Sequence, residues 1–271
     1  MLSFTKMHGN GNDFIIIDEF EKEAVFDQDK ANFATRYCDR RFGIGADGVL
    51  YISASNKADL KMRLFQPDGS EAEMCGNGIR CLAKYAIDKN YVQLGSFTVE
   101  TLNDILRIEA RKDDEIWIKV DMGKPRFDRR EIPADGEGEF LEEDLYGYTV
   151  SAVNTGVPHA VIFVNDLDIV LEEVASEIRF HQVFPLGANV NFALVKGDKL
   201  HIRTYERGLE AESLSCGTGS VACAVVAWRL GKVKGDEIDV KTKGGVLCIS
   251  KKDGRAYMEG TAETVYEGVI R

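Results

Sequence analysis

No two of the six cysteines stand in Cys-x-x-Cys spacing, and the four histidines, at 8, 159, 181 and 201, are scattered. Neither a zinc ribbon nor a zinc finger is encoded, and no metal site is expected. Apolar runs are short, and none reaches the roughly 20 residues that a membrane-spanning helix needs. Basic charge is in the minority, with 34 Lys and Arg against 45 Asp and Glu and a formal net charge of −11. That balance disfavours nucleic acid or an anionic membrane as a partner. The start, Met1 to His8, lacks the charged region and apolar stretch of a signal peptide, and a cytoplasmic location is expected, where cysteines remain thiols.

What the chain does contain is one motif twice. Met74-Cys75-Gly76-Asn77-Gly78 and Ser215-Cys216-Gly217-Thr218-Gly219 lie 141 positions apart, about half of the 271 residues. Other segments repeat near the same offset: Arg63–Gln66 as Arg203–Glu206, Gly45-Ala46-Asp47 as Gly187-Ala188-Asn189, and Thr101–Ile108 as Thr242–Ile249. Thr155–His159 echoes Asn10–Phe14, each leading into an apolar run. Several matches in one register indicate a duplicated fold with one thiol per half.

Short runs of alternating polarity predict strands over 14–17, 49–52, 61–65, 97–100, 105–110 and 115–120. Amphipathic helices are expected over 29–37 and 168–181. The stretches 78–89 and 219–230 are apolar on nearly every face, which predicts two helices, one buried at the centre of each half. The architecture is therefore α+β, two pseudo-symmetric mixed domains, each a sheet curled around a central helix with the site in the cleft between them. The N-terminal repeat is assigned to 1–122, with the C-terminal strand 263–271 as a candidate to complete it, and the C-terminal repeat to 123–262. Gly, Pro, Asp and Arg cluster over 121–138, which reads as a linker.

A cysteine at the start of a helix sits beside unpaired backbone N–H groups at the positive end of the macrodipole, which favours the thiolate. Gly76 and Gly78 have no Cβ, so a carboxylate can approach the same N–H groups; Gly217 and Gly219 repeat the arrangement. A lone cysteine among glycines is more often a packed small side chain, and only the pairing of Cys75 with Cys216 points to chemistry. Cys81 and Cys223, deeper in each helix, are expected to be core, and Cys38 and Cys248 carry no motif. Glu206 can accept hydrogen bonds and Arg207 can grip a carboxylate, although a Glu-Arg pair is commonly a solvated surface feature. Asn12 and Asn189 are either turn formers or ligands. His159 occupies the position held by Phe14 in the first repeat. Two thiols meeting one carbon could remove a proton from one face and return it to the other. A thiol pair closing to a disulfide as a redox device is the alternative of another class.

The opening Lys6-Met7-His8-Gly9-Asn10-Gly11-Asn12-Asp13-Phe14, the block from Asp68-Gly69-Ser70 to Cys81, Tyr205-Glu206-Arg207-Gly208 and Cys216-Gly217-Thr218-Gly219 together resemble the diaminopimelate epimerase family along the whole chain. The resemblance implies cofactor-independent interconversion of LL- and meso-diaminopimelate by a thiolate and a thiol, in the lysine and cell-wall precursor pathway, by a homodimer. It implies Cys75 and Cys216 as the acid/base pair and His159 and Glu206 as residues that tune them. Asn12, Gly76, Asn77, Asn189, Glu206, Arg207, Gly217 and Thr218 are implied to contact the amino-acid substrate. The chain departs from the family pattern at Gln66 and Val157, where Asn is common, and at Gly48. Gln66 keeps a carboxamide on a longer stem and is expected to reach substrate, whereas Val157 has no polar side chain to offer. A related two-thiol racemase acting on proline or histidine is the nearest alternative.

Overall fold

Asn10 and Gly11 both adopt positive φ, 55° and 81°, and close a two-residue turn between β1 (Leu2–Gly9) and β2 (Asn12–Asp18). A hairpin of this length requires that conformation at both turn positions, and Asn-Gly is the pair that adopts it most readily. The computed structural model describes residues 1–271, which divide into one compact unit of Met1–Val120 with Gly260–Arg271 and a second of Asp121–Glu259.

In the first unit α1 (Lys30–Tyr37) precedes β3 (Gly48–Ser53), which runs parallel to β2, and β4 (Leu60–Phe65), antiparallel to β3. The short β5 (Glu71–Ala72) leads into α2 (Gly76–Asp88). Then β6 (Gly95–Glu100) pairs parallel with β4, and β7 (Ile105–Lys112) and β8 (Ile116–Gly123) continue antiparallel.

The second unit opens with β9 (Glu143–Leu145) and repeats the order: β10 (Tyr148–Asn154), β11 (Pro158–Phe163), α3 (Leu171–Arg179), β12 (Asn189–Lys196) and β13 (Lys199–Glu206). It continues through β14 (Ala211–Ser213), α4 (Gly217–Arg229), β15 (Glu237–Thr242), β16 (Gly245–Lys252) and β17 (Arg255–Gly260). The pairing senses match those of the first unit: β10–β11, β12–β13, β15–β16 and β16–β17 are antiparallel, and β11–β12 and β13–β15 are parallel. The last strand, β18 (Glu263–Ile270), returns to pair antiparallel with β1.

A side-chain signature accompanies the duplication. Arg63 on β4 grips Glu71 with two hydrogen bonds of 2.6 and 2.8 Å, and Arg203 on β13 grips Glu212 with two of 2.7 and 2.8 Å. Each fork ties β5 or β14 to the preceding strand and so fixes where the following cysteine emerges. Strand register also sharpens the repeat. Phe14 stands opposite Gly48, and His159 opposite Asn189, so Asn189 matches Gly48 rather than Asp47, one residue off the spacing read from Gly-Ala-Asp.

Helix α2 packs on β1 through β4, and α4 on β10 through β13, β15 and β16. Leu82, Ala83 and Ala86 on α2, and Val221, Ala222, Ala224 and Val226 on α4, are fully buried. Burying a Leu or Val side chain contributes roughly 1.5–3 kcal/mol, which holds each helix in its sheet. Both helices begin two residues earlier than their apolar stretches, at Gly76 and Gly217, so Gly-x-Gly forms the first turn and the cysteine caps it. One face of α2 is also not apolar: Arg80 is wholly buried, donating to Gly76 O at 3.3 Å, Asn10 Oδ1 at 2.7 Å and Thr261 O at 3.2 Å.

The segment over 121–138 is folded chain rather than a linker. Arg126 and Asn154 exchange both backbone hydrogen bonds, Arg129 N–H donates to Gly138 O at 2.9 Å, and Ile132 is fully buried in the second unit's core. Its glycines and prolines shape tight turns, which composition alone does not distinguish from free chain.

Candidate functional site

Each unit places a cysteine at the start of its central helix. Cys75 caps α2 with an extended backbone, φ −140° and ψ 118°, and Gly78 N–H donates to its sulfur at 3.5 Å. The Asn12 carboxamide faces it. Its nitrogen donates to Asp47 Oδ2 at 2.7 Å, and because a carboxylate only accepts, the amide oxygen must point the other way. There Asn12 Oδ1 accepts from Cys75 Sγ at 3.5 Å and from the buried Asn77 Nδ2 at 3.2 Å.

Asp47 is itself anchored. It accepts from Arg40 at 2.7 Å and from Asp13 N–H at 3.1 Å, while Asp13 pairs with Arg40 and with the buried Lys6, each at 2.7 Å. Burial by itself would raise the Asp13 carboxyl, but hydrogen bonds from Arg40 and Lys6 outweigh it and hold the group near about 2. The chain of charges thus ends on a neutral amide whose orientation is determined. Gly76 is buried within the first turn of α2, and Gln66 lies on an exposed turn after β4, where its carbonyl accepts from Gly69 N–H at 2.9 Å.

Cys216 caps α4 in the same frame, φ −108° and ψ 112°, with its sulfur 3.4 Å from the Thr218 hydroxyl. Thr218 O accepts from the Thr155 hydroxyl at 2.9 Å, which ties the loop before β11 to the helix start. Asn189 is buried at the head of β12; it accepts from Arg207 N–H at 2.8 Å and donates to Pro158 O at 3.2 Å. The Arg207 guanidinium donates to the carbonyls of Leu186 and Gly187 at 3.1 and 3.5 Å. Glu206 ends β13, and its carbonyl accepts from Glu210 N–H at 2.8 Å in the turn that follows. Within this unit Asn189 heads β12, Glu206 ends β13 with Arg207 in the turn that follows, and Cys216, Gly217 and Thr218 form the start of α4.

His159 is completely buried at the head of β11, with Nδ1 3.1 Å from Asn191 Nδ2. Burial pulls its pKa down to about 3 against the opposing hydrogen bond from Asn191, so the ring is neutral near pH 7. Burial likewise pushes the thiols of Cys38, Cys81 and Cys248 up to about 12 and that of Cys223 higher still. These four stay protonated at neutral pH and are unsuited to nucleophilic or basic roles.

Sequence reading missed the groups behind the front rank: Lys6, Asp13, Arg40 and Asp47 in one unit, Asn191 and Thr204 in the other. The second omission left a visible trace. In Asn189-Val190-Asn191-Phe192 two Asn alternate with apolar residues at the start of a strand, where a wholly buried strand normally carries apolar side chains at every position.

Comparison with known proteins bears on the whole chain. The family model for diaminopimelate epimerase matches residues 4–127 and 151–265. The diaminopimelate epimerase of Methanothrix thermoacetophila is 58% identical over 270 residues, covering 99% of this chain and 96% of its own. That of Archaeoglobus fulgidus is 51% identical over 272 residues, covering 100% and 96%. Among solved structures, a phenazine biosynthesis protein of the PhzF family from Bacillus anthracis superposes with a TM-score of 0.73 at 19% identity, over 100% of this chain and 99% of that one. A probable proline racemase from Agrobacterium radiobacter K84 gives 0.70 at 15% identity, over 100% and 93%. At such identities these two likenesses concern the fold, a two-unit mixed α+β architecture that the present chain shares. The close relatives carry the finer conclusion: the chain belongs to the diaminopimelate epimerase family.

Proposed function

We propose that the protein interconverts LL- and meso-2,6-diaminopimelate in lysine and cell-wall precursor biosynthesis, without a cofactor, using Cys75 and Cys216 as its acid/base pair. The observation that carries this reading is the matched pair of cysteines, each capping the buried helix of an equivalent unit with glycine in the first turn. In one direction a thiolate takes the α-proton: the C–H bond breaks, an S–H bond forms, and the electron pair moves into the adjacent carboxylate. The thiol of the other unit then gives its proton to the opposite face of the carbon, leaving the two sulfurs with exchanged protonation states.

The α-hydrogen of an amino acid is a very weak acid, and the charge that develops on the carboxylate must meet fixed donors. The N–H groups of the two first turns, at Gly76, Asn77 and Gly78 and at Gly217, Thr218 and Gly219, are suited to that task because a helix start directs its first backbone N–H groups outward at the positive end of the macrodipole. Asn12, Gln66, Asn77, Asn189 and Glu206 would orient the amino-acid groups, and Arg207 would hold the carboxylate of the carbon that does not react. His159 and Glu206 would set the protonation of the cysteines. A homodimer in the cytoplasm completes the reading. No helix is long and apolar enough to cross a membrane.

The experiment is to follow LL-diaminopimelate in deuterated water. Deuterium entering the α-position together with formation of the meso isomer is the expected result. No exchange by the intact protein would refute the reading.

A further inference from the structure

Three linked polar side chains on β11, β12 and β13, with Asn191 against the first turn of α4, stand where the other unit has three apolar ones. His159, Asn191 and Thr204 are 0%, 0% and 3% exposed. In the first unit the same strand registers hold Phe14, Leu50 and Leu64: Leu50 pairs with Leu64 across β3–β4 as Asn191 pairs with Thr204 across β12–β13. The apolar set packs on α2 at Gly78, where an added Cβ would lie 3.4 Å from both Leu50 and Phe14. At Gly219 of α4 a Cβ would overlap Asn191 Oδ1 and stand 3.3 Å from Cys216 Sγ, so amide and thiol meet at one glycine. The fold therefore does not need polar groups here, and burying them is unfavourable unless each is satisfied.

Counting donors and acceptors settles how they are satisfied. Asn191 Nδ2 donates to Ala160 O at 2.9 Å, and a carbonyl can only accept, which determines the amide's orientation. The Thr204 hydroxyl donates to Asn191 Oδ1 at 3.0 Å and holds the other end. The second hydrogen of Asn191 Nδ2 then points at His159 Nδ1, 3.1 Å away, which must present a lone pair. A neutral imidazole with a lone pair on Nδ1 carries its proton on Nε2. That Nε2 is buried, and no group of the protein accepts from it.

We infer that Asn191 and Thr204 are positioning residues that hold His159 as a neutral Nε2–H donor, kept for an anionic acceptor that arises in the Cys216 half-site during the reaction. His159 in this state has no lone pair to offer from Nε2 and does not take the substrate proton. The inference rests on the epimerase reading for its purpose but not for its first test.

That test is two-bond proton–nitrogen NMR of protein labelled in its four histidines, with the His159 signal assigned by its loss in His159→Gln. The wild type should show a single neutral tautomer with hydrogen on Nε2. Asn191→Leu, which installs the residue that the first unit carries, should admit the Nδ1–H tautomer and lower kcat by about tenfold, the equivalent of one hydrogen bond, with KM within about twofold. Asn191→Asp separates positioning from mere filling. It has nearly the shape of Asn but prefers a donor on Nδ1, so it should shift His159 to Nδ1–H and reduce kcat at least as far as Leu does. Thr204→Val leaves the Ala160 contact in place and should keep the tautomer with a loss of about threefold or less. An Nδ1–H tautomer in the wild type would overturn the inference whether or not the variants fold, as would wild-type kcat in a folded Asn191→Asp protein. Absence of α-proton exchange by the wild type would instead refute the epimerase reading and leave the tautomer result standing.

Discussion

At Cys75 the helix cap is backed by Phe14 and Leu50 and faced by an Asn12 carboxamide tied to Asp47, whereas at Cys216 it is backed by Asn191 and faced by the Thr218 hydroxyl. The backbone frames agree: extended caps, glycine in the first turn, helices of 13 residues. Their side-chain surroundings do not. Duplication supplied two equivalent sets of N–H donors, and divergence at a handful of strand positions made the two thiols chemically distinct. Asn12 Oδ1 can only accept, and Cys75 Sγ also accepts from Gly78 N–H, whereas the Thr218 hydroxyl beside Cys216 can give or receive a hydrogen bond.

Removing one thiol at a time should have the largest effect. Cys75→Ala and Cys216→Ala should each lower epimerisation by on the order of a thousandfold or more, since each deletes an acid/base group. Cys81→Ala and Cys223→Ala should keep turnover and lose about 1 kcal/mol of stability from core packing, measured by denaturant unfolding. Near wild-type turnover in Cys216→Ala would show that the two caps are not partners.

Arg207 lies in the turn after β13 with its guanidinium on the carbonyls of Leu186 and Gly187, and under the proposed reading its loss should act on binding. Arg207→Ala should weaken productive binding by about 2–5 kcal/mol if the pair with a carboxylate is buried. It should also erase the preference for diaminopimelate over single-headed amino acids in steady-state kinetics. Turnover by the wild type on proline or histidine alone would reassign the substrate and leave the acid/base pair intact.

Grafting the apolar set of one unit into the other tests the difference directly. The triple variant His159→Phe, Asn191→Leu, Thr204→Leu should fold and lose most activity. It should also resist acid better. The His159 pKa lies below its unfolded value, so the unfolded chain binds the extra proton, and the stability that the neutral ring supplies above pH 6.5 is lost as pH falls toward about 3. At pH 5 the variant should therefore gain about 2 kcal/mol relative to the wild type, compared with their difference at pH 8. An unchanged difference between the two pH values would mean that His159 is not buried neutral.

A more modest effect is expected at Asp47. Asp47→Ala releases the Asn12 amide without touching Cys75, and kcat should fall by about tenfold while the midpoint of unfolding moves little. Asp47→Asn, able to accept through its own oxygen, should recover most of that loss.

Much of this was legible in the chain itself. The matching motifs at Cys75 and Cys216, 141 positions apart, indicate duplication, and the apolar runs after them indicate central helices. Arg63 and Arg203, matched on spacing alone, make the same two-toothed grip. The region over 121–138 was misread because glycine and proline mark tight turns as readily as free chain, and its burial depends on β10 far along the sequence. Asn189 was matched to Asp47 rather than Gly48 because a one-residue slip in a loop leaves no mark in local pattern, while strand pairing decides it.

Features that depend on near neighbours can be read along the chain: alternation that makes strands, glycines that open a helix start to ligands, a cysteine at the cap, and the repeat that puts one in each unit. Which lone pair faces which proton is fixed only once the chain is folded. Asn12 owes its orientation to Asp47, 35 residues away, and His159 owes its tautomer to Asn191, 32 residues away. Hydrogen bonds of this kind join side chains brought together by sheet pairing, and their direction follows from which atoms can only donate and which can only accept. No spacing in the chain encodes that choice until the strands are in register.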